Sequence, residues 1–119
     1  MQYLFLGYPR CSTSNKAEKF LKDNKIDYNF RNITVDKPTV TELTLWIKKS
    51  ELPIKRFFNT SGLVYKELNL KDKLATMTEE EQIELLSTNG MLVKRPLLVN
   101  DDVILVGFKE EDWKQLVKE

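Results

Sequence analysis

Two short stretches hold the residue types that could do chemistry. The first is Arg10-Cys11-Ser12-Thr13-Ser14, which contains the chain's one cysteine. It follows the apolar run Tyr3-Leu4-Phe5-Leu6, closed by Gly7 and Pro9, and precedes Ala17, Phe20 and Leu21 at helical spacing. A cysteine where a strand gives way to a helix meets unpaired N–H groups and the positive end of the helix dipole. Both favour thiolate over thiol, and the thiolate is the nucleophile. Arg10 adds positive charge next to it in sequence, and Ser14 can donate a hydroxyl hydrogen bond to the sulfur from the first helical turn. The alternative for Cys11 is a small buried apolar side chain. Ser12 and Thr13 also have one, because hydroxyl residues cap helices without taking part in chemistry.

The second stretch is Lys94-Arg95-Pro96, directly before the apolar run Leu97-Leu98-Val99. Proline brings no N–H to a sheet ladder, so at a strand entrance it marks a special backbone conformation, a cis peptide being one form. If this loop folds beside the cysteine, Arg95 can reach the thiolate or an oxyanion held there. Otherwise it is a solvated surface charge.

Composition removes several classes. The chain has no histidine, so Ser–His and Cys–His nucleophile pairs and the usual zinc clusters are out. A single cysteine cannot form an internal disulfide, and the apolar run at Tyr3–Leu6 is too short for a membrane span or a signal core. The expected location is therefore the cytoplasm, where thiols stay reduced. With 19 Lys and Arg against 18 Asp and Glu, a net charge of +1, neither direct nucleic-acid binding nor a membrane partner is expected.

The elements that must position these residues follow from periodicity. Tyr3–Leu6 reads as a strand, the stretch from Ser12 to about Asn24 as an amphipathic helix, and Tyr28 and Phe30, alternating with polar residues, as a half-buried strand. The middle is helical. Thr39 with Glu42 and Thr78 with Glu81 have capping-box spacing, Pro53 opens a turn with Ile54, Phe57 and Phe58 on one face, and Leu70, Leu74 and Met77 suggest a short helix. Asn89-Gly90 reads as a helix stop. Leu97–Val99 and Val103–Val106 flank Asn100-Asp101-Asp102 as a hairpin, and Trp113, Leu116 and Val117 mark a last helix. The order is βαβ, a helical block at about 36–92, then ββα, which closes as a four-stranded mixed sheet with helices on its faces.

Tyr8-Pro9-Arg10-Cys11-Ser12-Thr13-Ser14, Phe57-Phe58-Asn59-Thr60-Ser61-Gly62, Lys94-Arg95-Pro96-Leu97-Leu98-Val99 and Val106-Gly107-Phe108, in this order and nearly end to end, resemble the arsenate reductase-like (ArsC/Spx) family. The resemblance implies an α/β, thioredoxin-like fold: one domain over 1–119, a helical insertion at about 36–92, and a cis-proline at Pro96. It also implies a thiol oxidoreductase with Cys11, Ser14 and Arg95 as catalytic residues, and Arg10, Ser12, Thr13, Asn59 and Pro96 facing the substrate. In that role Cys11 forms a mixed disulfide or an oxyanion adduct. No bound cofactor is implied. A low-molecular-weight thiol (glutathione or an equivalent) is the expected co-substrate, and a glutaredoxin-like protein the expected reductant.

Two positions depart from the family's reductases, which carry anion-binding arginines where this chain has Asn59 and Gly107. Holding a dianion with one arginine instead of three loses charge-assisted hydrogen bonds worth about 1.5–3 kcal/mol each. The Spx branch implies an alternative, a regulatory module that binds RNA polymerase. Its C-x-x-C switch cannot form here, because Ser14 occupies the second position.

Overall fold

The structure, a computed structural model, describes residues 3–117; residues 1–2 and 118–119 of the expected single domain lie outside it. The chain divides into two compact units, one made of the segments up to Asn32 and from Arg95 onward, the other of Ile33–Lys94. The insertion expected at about 36–92 lies within the second.

The first unit is built on strand β1 (Tyr3–Gly7), an uninterrupted apolar run whose Phe5, Leu6 and Gly7 are buried. Helix α1 (Ser12–Asp23) follows and ends at Asn24, with Ala17 and Leu21 buried as the spacing predicts. Strand β2 (Tyr28–Asn32) runs parallel to β1, with Tyr3 opposite Tyr28 and Phe5 opposite Phe30. After the second unit the chain returns as β3 (Leu97–Val99), antiparallel to β1, and turns into β4 (Ile104–Val106). The sheet order is β2-β1-β3-β4.

The hairpin turn forms as its sequence predicts. Asn100 Oδ1 accepts the N–H groups of Asp102 and Val103 at 2.8 and 2.7 Å, the side-chain turn for which asparagine is suited. One face of the sheet carries the core of this unit, in which Phe5, Ala17, Leu21, Leu98 and Trp113 are all fully buried. Trp113, on the short helix α6 (Glu110–Trp113), places its ring edge-on against Phe108, 5.1 Å between centroids. Its indole N–H donates to the Gly107 carbonyl at 3.1 Å, so the ring is buried with no polar group unpaired.

Three expectations change here. Phe30 is 43% exposed rather than half-buried, because β2 is an edge strand with a neighbour on one side only; its ring still stacks 6.0 Å from Phe5. The last helix is four residues long and continues as a 3₁₀ turn, Lys114–Leu116, leaving Val117 exposed. Met77 lies beyond the short helix expected to hold it, in extended backbone.

The second unit is helical. Helices α2 (Val40–Ser50) and α5 (Glu79–Thr88) pack together, and both capping boxes form, Thr39 with Glu42 and Thr78 with Glu81. Leu43, Trp46, Ile47, Ile83 and Leu86 are buried, whereas Val40 is exposed. Between them lie a 3₁₀ turn at Ile54–Phe57 and the short helices α3 (Leu63–Glu67) and α4 (Leu70–Lys73). Phe58 and Val93 form an antiparallel bridge.

Helix α5 ends as the Asn89-Gly90 pair predicts, but with Asn89 extended as its C-cap and Gly90 opening a 3₁₀ turn rather than forming an αL cap. Among the glycines only Gly107 has positive φ. At Gly90 a Cβ would lie 1.9 Å from the Ile33 carbonyl oxygen, so this position needs glycine for close backbone approach.

Candidate active site around Cys11

Tyr8-Pro9-Arg10-Cys11 makes the turn that carries the chain from β1 into α1, with the Cys11 N–H bonded to the Tyr8 carbonyl at 2.9 Å. Cys11 is extended (φ −99°, ψ 118°) and occupies the N-cap position, where its own carbonyl accepts the first helical hydrogen bond from Asn15. At that position an oxygen-bearing side chain would accept from the second or third helical N–H. Here those N–H groups belong to Thr13 and Ser14. The sulfur does not meet the geometry of a formal capping hydrogen bond, yet both groups are near enough to stabilise its charge.

Cys11 is half-buried, and that partial burial raises its pKa. Four donors outweigh it: the Ser14 backbone N–H, the Ser14 hydroxyl, the Arg95 side chain and the Thr13 backbone N–H, in decreasing order. The net result is a thiol pKa below the ordinary value. Ser14 is 2% exposed. Its oxygen accepts the Tyr8 N–H at 3.3 Å, which leaves the hydroxyl proton to point at the sulfur. Gly7 makes the room, since a Cβ there would come within 2.5 Å of the Phe5 ring and 3.3 Å of the Ser14 oxygen.

Arg95 enters from the other half of the first unit. β3 pairs antiparallel with β1, so the loop before β3 lies at the same end of the sheet as the cysteine turn. The Arg95–Pro96 peptide is cis, Pro96 is buried, and the Pro96 carbonyl accepts the Gly107 N–H at 2.8 Å. The Arg95 guanidinium lies over the Tyr8 ring, 5.6 Å from its centroid, while acting on Cys11.

Cys11, Thr13, Ser14 and Arg95 are thus brought together, with Pro96 next to Arg95 in the chain. Ser12 opens the helix and is exposed. Arg10 is exposed and is not among the groups acting on the sulfur, because the turn sends adjacent side chains apart. Asn59 belongs to the Ile33–Lys94 unit. There its N–H donates to the Leu92 carbonyl at 2.7 Å, and its amide approaches the Met91 carbonyl at 3.5 Å and the Ser61 hydroxyl at 3.4 Å. Gly107 has φ 74°, a backbone conformation that an arginine would adopt only under strain. Sequence reasoning passed over Gly7 and Tyr8; the only signal was their place in the motif running into Cys11.

A parallel βαβ unit joined to an antiparallel ββα unit, with cysteine at the N-terminus of the first helix and a cis-proline before the third strand, is a thioredoxin-like α/β fold. Within that class the chain belongs to the ArsC family, whose model matches residues 6–116. It is 62% identical to an ArsC family related protein of Bacteroides fragilis, with a TM-score of 0.95 over 98% of both chains. A protein of Streptococcus mutans described as a "possible arsenate reductase" is 40% identical, with a TM-score of 0.87 over 94% of this chain and 97% of its own. The regulatory protein MgsR of Bacillus subtilis is 30% identical over 98% of this chain and 91% of its own.

Proposed function

We propose that this protein is a monothiol oxidoreductase of the ArsC family, with Cys11 as its nucleophile. One observation carries the reading: Cys11 stands at the start of α1 with donors from Ser14, Arg95 and Thr13 directed at its sulfur. In the reaction, the thiolate attacks one sulfur of a disulfide and the S–S bond breaks. The departing sulfur leaves as a thiolate that takes up a proton, and Cys11 is left in a mixed disulfide. With Ser14 in place of a second cysteine, resolution falls to an external thiol, glutathione or an equivalent, or to a glutaredoxin-like protein. That thiolate attacks the mixed disulfide and releases Cys11. With an arsenate-type oxyanion, Cys11 displaces one oxygen as water, and the external thiols supply the two electrons of reduction. Arg95 then holds the anion.

The test is mass spectrometry of the protein after exposure to oxidised glutathione. A single glutathione adduct on Cys11, removed by glutaredoxin and absent in Cys11→Ser, is expected. An unmodified Cys11 under conditions that modify an unstructured cysteine peptide refutes the reading. A parallel assay of arsenate reduction decides which class of substrate the adduct serves.

The similarity to the regulatory protein MgsR favours a second reading, a regulatory module, for which the resemblance to the Spx branch names RNA polymerase as the partner, with Cys11 dispensable. Equal binding of purified RNA polymerase by wild type and Cys11→Ser supports it, and no binding by either removes it.

A further inference from the structure

Tyr8 touches three of the four residues of the thiol site, Cys11, Ser14 and Arg95. Its carbonyl accepts the Cys11 N–H at 2.9 Å, its N–H donates to Ser14 Oγ at 3.3 Å, and its ring lies 5.6 Å under the Arg95 guanidinium. The first two contacts come from the backbone and would survive any side-chain replacement. The third belongs to the ring alone. Arginine has a long side chain with many rotamers, and holding its guanidinium at one place carries an entropic cost. The negative face of an aromatic ring attracts and orients a guanidinium that lies over it. Tyr8 is half-buried just beyond the end of β1, where the turn fixes its backbone relative to Cys11.

We propose that Tyr8 is a positioning residue of this site, whose ring holds the Arg95 guanidinium where it stabilises the Cys11 thiolate. The inference rests on the thiolate reading above. It makes the ring's aromatic face, rather than its hydroxyl, the operative feature. It also orders the contributions: Tyr8 acts through Arg95 and has no separate effect on the sulfur by way of its side chain.

The test is the rate of Cys11 alkylation by iodoacetamide as a function of pH, which requires no substrate. Wild type and Tyr8→Phe should share one midpoint. Tyr8→Leu, which keeps bulk but removes the aromatic face, should raise it by roughly half a unit, slowing alkylation about threefold below the midpoint. In an Arg95→Ala background, Tyr8→Leu should add no further shift. An ordinary thiol midpoint in wild type overturns both the thiolate reading and this one. A low wild-type midpoint unchanged in Tyr8→Leu, or a shift of equal size with and without Arg95, overturns the role of Tyr8 alone. A measurement on the unmodified chain guards against misfolding of the variant: ring current from Tyr8 should move the Arg95 side-chain proton resonances upfield, and resonances at ordinary positions refute the contact.

Discussion

Replacing Ser14 by alanine removes one hydroxyl and leaves the backbone N–H groups of Ser14 and Thr13, and the Arg95 side chain, acting on Cys11. A hydrogen bond to a charged group contributes about 1.5–3 kcal/mol. Cys11 is only half-buried, so water competes for the sulfur and the lower end of that range applies. Since one pKa unit corresponds to about 1.4 kcal/mol, the Cys11 midpoint in Ser14→Ala should rise by about one unit. Below that midpoint the rate of alkylation tracks the thiolate fraction and should fall about tenfold. The substitution has a second effect. The Tyr8 N–H loses the acceptor it holds at 3.3 Å, in a part-buried place, and stability should fall by about 1 kcal/mol. The assay is iodoacetamide alkylation against pH, run beside urea unfolding of the same two proteins. An unchanged alkylation midpoint in a folded Ser14→Ala protein would refute the argument, because it would mean that the buried hydroxyl is not aimed at the sulfur. A loss of stability alone would assign Ser14 to the turn and not to the thiol.

Two further outcomes follow from the same structure. The Cys11 pKa is lowered in the folded chain, so ionisation favours folding: the contribution is fully present above the ordinary thiol pKa of about 8.5 and is lost as pH falls through the folded value. The stability of wild type relative to Cys11→Ser should therefore rise with pH across that window, and a flat difference in urea midpoints contradicts it. Gly90→Ala would place a Cβ 1.9 Å from the Ile33 carbonyl oxygen, a backbone atom with no rotamer to yield. A loss of about 1–3 kcal/mol or more is expected in thermal unfolding, and wild-type stability would show that the approach of these two segments is looser than described.

Much of the fold was legible in the sequence because its signals are local. The capping boxes at Thr39 and Thr78 are formed within one helical turn, so residue types at fixed spacing suffice to specify them. The Asn100 turn and the strand-to-helix passage at Cys11 belong to the same kind of signal. Gly90 shows the limit. Its place at the end of α5 was readable, but the reason for glycine there is a carbonyl belonging to residue 33, which no local pattern reveals.

For the site, the sequence by itself determined where the one cysteine stands, the helix start beside it, and the lack of a second thiol at Ser14, all of them properties of adjacent residues. Spacing alone left open which arginine serves the sulfur, and the family resemblance pointed to Arg95. Arg10 is next to Cys11 in the chain yet exposed, whereas Arg95 arrives from far along it and acts on the thiol. That choice was decided by the sheet order β2-β1-β3-β4, which pairs β3 with β1 and brings the loop before Pro96 to the cysteine turn. The exposure of Phe30 on an edge strand and the Tyr8–Arg95 contact have the same origin. Strand pairing joins residues by hydrogen-bond register rather than by sequence distance, so only the tertiary structure could show which side chains meet at Cys11.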